Sequence, residues 1–133
     1  MSINESRQDY VRAIFVLSER NQEVRSKDLV SYLEVKKNTV SHMLSALRDE
    51  GFVSFQNYGS ISLTKKGLLL AKQLTAKHRL IELFLTKVLK RNPSEVHDEA
   101  CKLEHDFSED SLKEMKKLLG NPSLDPHGKP ISV

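Results

Sequence analysis

Apolar residues recur at the helical period over most of this chain, interrupted once by a short stretch that alternates. Tyr10, Ala13, Ile14 and Leu17 share one face of a first helix predicted over about Glu5–Ser18. A second, short helix is predicted from Ser26, taken as its N-cap, to about Leu33, with Leu29, Val30 and Leu33 inward. A third runs from about Asn38, again read as the cap, to Glu50; Val40, Met43, Leu44 and Leu47 form its inner face and Gly51 ends it. Then the period changes to two. Phe52–Gln56 and Ser60–Leu63 alternate around Asn57-Tyr58-Gly59, which reads as a β-hairpin. Thr64 caps a long helix expected to reach about Arg91, and Leu68, Leu69, Leu70, Leu74, Leu80, Ile81, Leu83, Phe84, Leu85 and Val88 make it apolar on more than one side. Such a helix is buried on two faces, for instance between its own domain and a second subunit. Asn92-Pro93 launches another helix through His105, Ser108-Glu109-Asp110 starts the last one, Gly120 stops it, and the tail after Asn121 is expected to be extended.

A helix, a helix-turn-helix and a hairpin in that order make a winged helix. The expected fold is therefore mainly α with a small β-hairpin: a winged helix-turn-helix over 1–72, whose long helix continues into a helical domain over 73–133. The exposed positions at the start of the third helix are Lys36, Lys37, Asn38, Thr39, Ser41 and His42. They offer hydrogen-bonding groups for base edges or phosphates and cations that offset backbone charge. Arg48 and the wing residues Gln56, Asn57 and Tyr58 are further candidates for backbone contacts. The net charge is only +3, but residues 1–77 hold 12 Lys+Arg against 8 Asp+Glu while 78–133 hold 9 against 10, so the basic excess lies on the side of the winged helix. With 38% hydrophobic and 29% charged residues the chain is that of a folded protein. No apolar run reaches the roughly 20 residues of a membrane span, and the first residues lack a signal-peptide core, so the expected compartment is the cytoplasm.

The second half carries the candidate chemistry. In His97-Asp98-Glu99-Ala100-Cys101-Lys102-Leu103-Glu104-His105, at about 100° per residue, His97, Cys101, Glu104 and His105 fall on one helix face beside the apolar stripe of Val96, Ala100, Leu103 and Phe107. His97/Cys101 and Cys101/His105 are i, i+4 pairs, and His78/Glu82 is another on the preceding helix. Imidazole, thiolate and carboxylate are transition-metal donors, and six of them on successive helices point to a metal site. The run is not the His-Glu-x-x-His arrangement of zinc hydrolases, because Asp98 follows His97 and Cys101 stands where the second histidine would be. Cys101 is the only cysteine, so an internal disulfide is excluded.

Asp9–Ile14, Asn38–Ser41, Gly51–Val53, Leu63–Gly67, His78–Glu82, His97–His105 and the tail Asp125–Ile131 together resemble the diphtheria toxin repressor and manganese transport regulator family of iron- and manganese-dependent metalloregulators. The resemblance spans essentially the whole chain, in the form without an SH3-like third domain. It implies a homodimeric repressor, not an enzyme, with a helical metal-binding and dimerisation domain and no organic substrate. It binds a palindromic double-stranded operator when loaded with Fe(II) or Mn(II), with Co(II), Ni(II) or Zn(II) as substitutes, and controls metal-uptake genes. Matched position by position, it places Asp9, Cys101, Glu104 and His105 in a switching site and His78, Glu82 and His97 in a second site. Asp9 resembles manganese-type members and Cys101 iron-type members; a hard carboxylate and a softer thiolate pull selectivity in opposite directions. Two other readings compete: a winged-helix protein whose metal is structural or absent, regulated by another signal such as oxidation of Cys101, and a small metal-dependent hydrolase. Against the latter, no dedicated base stands beside an open metal position.

Overall fold

The computed structural model describes residues 4–20, 23–56 and 59–131. In chain order these form α1 (Glu5–Arg20), α2 (Ser26–Leu33), α3 (Lys37–Asp49), β1 (Val53–Phe55), β2 (Ile61–Leu63), α4 (Lys65–Lys87), a 3-10 turn (Pro93–Glu95), α5 (His97–Leu103) and α6 (Glu109–Leu118). The chain divides into two compact units, residues 1–72 and 73–133.

The first unit is a winged helix-turn-helix. Tyr10, Ala13, Ile14 and Leu17 of α1, Leu29 of α2, and Val40, Leu44 and Leu47 of α3 are all buried, as the helical period requires. β1 and β2 pair antiparallel with Val53 opposite Leu63 and Phe55 opposite Ile61. Ile61 N also donates to Val24 O at 2.7 Å, which anchors the wing to the segment before α2. Gly51 stops α3 with φ +85°; Phe52 N donates to Leu47 O (2.9 Å) and Gly51 N to Arg48 O (3.0 Å), a left-handed glycine cap satisfying two terminal carbonyls. α4 begins where Thr64 Oγ1 accepts from Gly67 N at 3.1 Å, the N-cap role expected of it.

Several ends differ from the sequence reading. α1 runs to Arg20, two residues past Ser18. Ser26 is the first residue of α2 and not its cap: the extended residue before it is Arg25, whose N–H is taken by Asp28 Oδ2 at 2.8 Å. Asn38 likewise lies inside α3, which is entered from extended Lys36 without a side-chain cap bond. α4 stops at Lys87 and not near Arg91; Lys90 adopts φ 60° and Arg91 N turns back to Leu85 O at 3.0 Å.

The second unit departs further. The helix expected from Asn92 through His105 is broken, because Asn92 Oδ1 caps a tight 3-10 turn by accepting from Ser94 N (3.0 Å), and α5 then covers only His97–Leu103. Glu104 follows with near-helical backbone (φ −60°, ψ −24°) and its N–H still reaches Ala100 O. The tail is not extended. Leu124 pairs with Pro130, Asp125 N donates to Lys129 O (2.8 Å), and Asp125 Oδ1 accepts from the backbone of His127 and Lys129, closing a turn through Gly128 at φ +82°. Arg79 Nη1 holds Pro130 O at 2.8 Å, and Ile131 enters a core with Ile81, Leu85, Val96, Ala100, Leu112 and Met115.

Candidate functional site

The second unit gathers its donors from three places. α4 supplies His78 and Glu82 one turn apart, α5 supplies His97 and Cys101 one turn apart, and the turn after α5 supplies Glu104 and His105. The tail adds a residue that sequence reasoning missed, His127. The groups form a ladder of alternating imidazoles and carboxylates. His127 Nε2 lies 3.3 Å from Glu82 Oε2, Glu82 Oε1 lies 3.2 Å from His78 Nε2, His78 Nδ1 lies 3.8 Å from Glu104 Oε1, and Glu104 Oε1 lies 3.9 Å from His105 Nε2. The signal for His127 was available in Asp125-x-His127-Gly128, a side-chain-closed turn that aims a ring back at α4, but it is 22 residues beyond His105 and belongs to no helical repeat.

Two carboxylates are deeply placed here: Glu82 is 3% exposed and Glu104 1%. Burial pushes the Glu82 carboxyl up, but the hydrogen bond from His78 and the charges of His78, His127 and His97 outweigh it and hold the group below its usual range. Buried carboxylates are costly unless positive charge or hydrogen-bond donors offset them. Imidazole and carboxylate are also donors that first-row divalent ions take, so the donor chemistry fits Fe(II) or Mn(II).

Of the residues expected at the second site, the structure brings His78, Glu82 and His97 together; the His78 and His97 rings stand edge to face with centroids 4.8 Å apart. Of the switching set, Glu104 and His105 adjoin each other. Cys101 Sγ lies 3.5 Å from His97 Nε2, and the donor atoms of His78, His97 and Cys101 are all within 4.8 Å of one another. Asp9 is on α1, half-buried, in the first unit.

On the first unit, Lys36, Lys37, Asn38, Thr39, Ser41, His42 and Arg48 are all exposed, at the entry of α3 and around its surface, while Val40, Leu44 and Leu47 of the same helix are buried. The Arg48 guanidinium stacks 5.3 Å from the Phe55 ring of β1, tying the recognition helix to the wing. Gln56 is exposed, with its amide on Ser54 Oγ at 3.0 Å. Asn57 and Tyr58 lie outside the described residues.

A winged helix with a polar, basic recognition face, followed by a helical unit with a divalent-metal donor set, defines a metal-dependent DNA-binding regulator. Residues 2–61 match the family model for the iron dependent repressor N-terminal DNA binding domain, and residues 64–132 match that for the iron dependent repressor metal binding and dimerisation domain. The chain belongs to the iron-dependent repressor family, a family of metal-dependent transcriptional repressors. It is 33% identical over 115 residues to an uncharacterised helix-turn-helix transcriptional regulator of Methanocaldococcus jannaschii, covering 86% of this chain and 92% of that one. It is 35% identical over 122 residues to the iron-dependent repressor IdeR of Mycobacterium tuberculosis, covering 92% of this chain but 53% of the relative, so it spans about half the length of such repressors. A solved manganese-dependent transcriptional repressor in complex with manganese superposes with TM-score 0.88 at 36% identity, over 94% of this chain and 57% of that one. None of the described helices is long and apolar enough to cross a membrane.

Proposed function

We propose that this chain is a cytoplasmic, homodimeric repressor that binds a palindromic operator when loaded with Fe(II) or Mn(II) and controls metal-uptake genes. The observation that carries the reading is the buried ladder of Glu82, His78, Glu104 and His105 in a chain whose other unit is a winged helix. Asp9, Cys101, Glu104 and His105 form the switching site; His78, Glu82 and His97 form the second site, to which the tail contributes His127. A divalent ion, when bound, supplies the positive charge that holds carboxylate and imidazole donors from separate elements at one point. Asp9 then fixes α1, and with it the position of the recognition helix in each subunit, so that the two helices match successive major grooves. The ion shifts that equilibrium only by its differential affinity for the two arrangements. Fe(II) suits both the Asp9 carboxylate and the Cys101 thiolate, Mn(II) is close behind, and Co(II), Ni(II) or Zn(II) can substitute.

Anaerobic titration of metal-free protein with Mn(II), Fe(II), Co(II) and Zn(II), read as operator binding at one fixed salt concentration, tests this. Fe(II) or Mn(II) should tighten binding about 5- to 150-fold, the range for a coupling of about 1–3 kcal/mol. Equal binding by metal-free and loaded protein would overturn it.

The α3 entry supplies a second expectation. Lys36 and Lys37 are exposed at a helix N-terminus that has no side-chain cap, where N–H groups remain for a phosphate. Lys36→Gln and Lys37→Gln should weaken binding alike on operator and unrelated DNA. Each should also flatten the log–log salt dependence by about 0.9 for every phosphate that is no longer neutralised. An unchanged salt slope in the double variant would place the recognition face elsewhere.

A further inference from the structure

The structure assigns Cys101 a second use: with His78 and His97 it forms a two-nitrogen, one-sulfur site for a thiophilic ion such as Zn(II) or Co(II), which shares only its sulfur with the switching set. The inference rests on the reading that this unit takes up divalent ions, and concerns which residues the thiolate joins. All three residues lie in the second unit, on two elements whose local geometry is fixed by one helical turn each. His97 and Cys101 are i, i+4 on α5, and His78 projects from α4 with its ring 4.8 Å from that of His97. Tetrahedral Zn(II) with bonds of about 2.3 Å to sulfur and about 2.0–2.1 Å to nitrogen spans about 3.6 Å between neighbouring S and N ligands. Cys101 Sγ and His97 Nε2 are already 3.5 Å apart, and the farthest pair in the trio is within 4.8 Å. Closing on an ion therefore asks for shifts of the order of 1 Å, within the reach of side-chain torsions. His78 is buried, Cys101 is half-buried and His97 is exposed, so the trio has a floor and an open edge for entry.

The chemistry of the trio differs from that of its neighbours. Glu82, His127, Glu104 and His105 offer oxygen and imidazole, which suit Mn(II) and Fe(II); the trio offers the only thiol in the chain. Cys101 binds as thiolate, releasing one proton to solvent. Because His78 and His97 serve both this site and the Glu82 site, the two cannot be filled together. A thiophilic ion seated on Cys101 also removes that sulfur from the set of Asp9, Glu104 and His105. The same residues thus sort ions by softness: a hard ion leaves Cys101 available to the switch, and a soft one divides between the trio and the switching set, which makes Zn(II) and Co(II) weaker activators than Fe(II) or Mn(II).

Co(II) alone is the probe, added anaerobically to metal-free full-length protein without DNA. A thiolate-to-Co(II) charge-transfer band should grow with the first equivalent and vanish in Cys101→Ser. The band should also vanish in His97→Ala, whose site is exposed so that folding is not at stake, and should persist in Asp9→Ala and His105→Ala. Zn(II) affinity, from competition with a chromophoric chelator, should drop at least about tenfold in His97→Ala, the lower end of what even an outer-shell partner is worth. A band that survives in His97→Ala and disappears in Asp9→Ala or His105→Ala would overturn the assignment. It would leave the proposed repressor function standing, since that reading is tested by operator binding and not by the spectrum. Absence of any thiolate band in the unmodified protein would also overturn it.

Discussion

Asp9→Ala is expected to leave a folded, operator-binding protein that no longer answers to metal. The gain on adding Fe(II) or Mn(II), about 5- to 150-fold for a coupling of about 1–3 kcal/mol, should fall to about one, while binding in the absence of metal changes little. The fold should tolerate the change. α1 is held by the buried Tyr10, Val11, Ala13 and Ile14, and Asp9 is a half-buried position beside that stripe; truncating it removes none of those apolar side chains, so the cost should lie toward the low end of the usual range of about 0.5–3 kcal/mol.

Within the first unit, α1 is tied to the end of α3. Arg7, two residues earlier on α1, donates from Nε to both carboxylate oxygens of Glu50 at 2.9 and 3.0 Å, and Glu50 is the residue that closes α3. A displacement of α1 is thereby passed to the end of the DNA-reading helix. Both side chains are partly exposed, 27% and 37%, so the pair adds little to overall stability; its use is geometric. Arg7→Gln should reduce the metal response while leaving metal stoichiometry intact, whereas Asp9→Ala should lower both. Isothermal titration with Mn(II) alongside fluorescence anisotropy on operator DNA separates them. An Asp9→Ala protein that kept its full metal response would remove the switch from α1.

What was legible in the sequence follows from which interactions are local. The stops at Gly51 and Gly120 were readable because a left-handed residue after a helix is most often glycine; both glycines have positive φ, and Asn121 N completes the second stop by reaching Lys116 O at 2.9 Å, whereas the left-handed Glu34 after α2 and Lys90 after α4 carry no such mark. Thr64 was readable because a hydroxyl just before a helix can accept from a first-turn amide, as its Oγ1 does from Gly67 N. Ser26 and Asn38 misled, since a cap-forming side chain marks a helix start only to within a residue or so, and the bond from Arg25 N to Asp28 Oδ2 made Ser26 redundant. The donors on α4 and α5 were legible by spacing. The grouping of Cys101 was less so, because a helical wheel puts it equally near His97 and His105, whereas α5 ends at Leu103 and the sulfur lies 3.5 Å from His97 Nε2. His127 was lost with the tail: its ring reaches Glu82 through a turn closed by Asp125 and anchored by Arg79, contacts of 45 and 51 residues' separation that no local pattern encodes.

Gly67→Ala is expected to be the most damaging single-methyl change in the first unit. The backbone at Gly67 is ordinary helix, so conformational freedom is not the issue; space is. A Cβ there would overlap the carbonyl oxygen of Phe52 and approach its carbonyl carbon to 3.0 Å and Leu63 Cδ2 to 3.3 Å. Backbone cannot rotate away as a side chain would. The clash falls where the first turn of α4 clamps the end of α3: Thr64 N donates to Phe52 O (3.0 Å), Thr64 Oγ1 to Gly51 O (2.6 Å), and Lys66 Nζ to Glu50 O (3.0 Å) while lying 4.3 Å from the Phe52 ring centre. Overpacking a rigid contact costs about 1–3 kcal/mol or more, and with three hydrogen bonds strained at once we expect the upper end, a fall in Tm of about 10 °C or more. Gly51→Ala is the informative comparison. Nothing lies within 4 Å of a Cβ there, yet φ is +85°, so the cost is the left-handed penalty alone, about 1–2 kcal/mol. In function the two substitutions should also part from Asp9→Ala. Loosening the α3–α4 clamp lowers operator affinity in metal-free and loaded protein together and preserves their ratio, because the groups that sense metal are untouched. If calorimetry found Gly67→Ala within about 2 °C of the unmodified protein, a shift worth roughly half a kcal/mol, the first turn of α4 would be free to lift off Phe52. The clamp would then not fix the recognition helix.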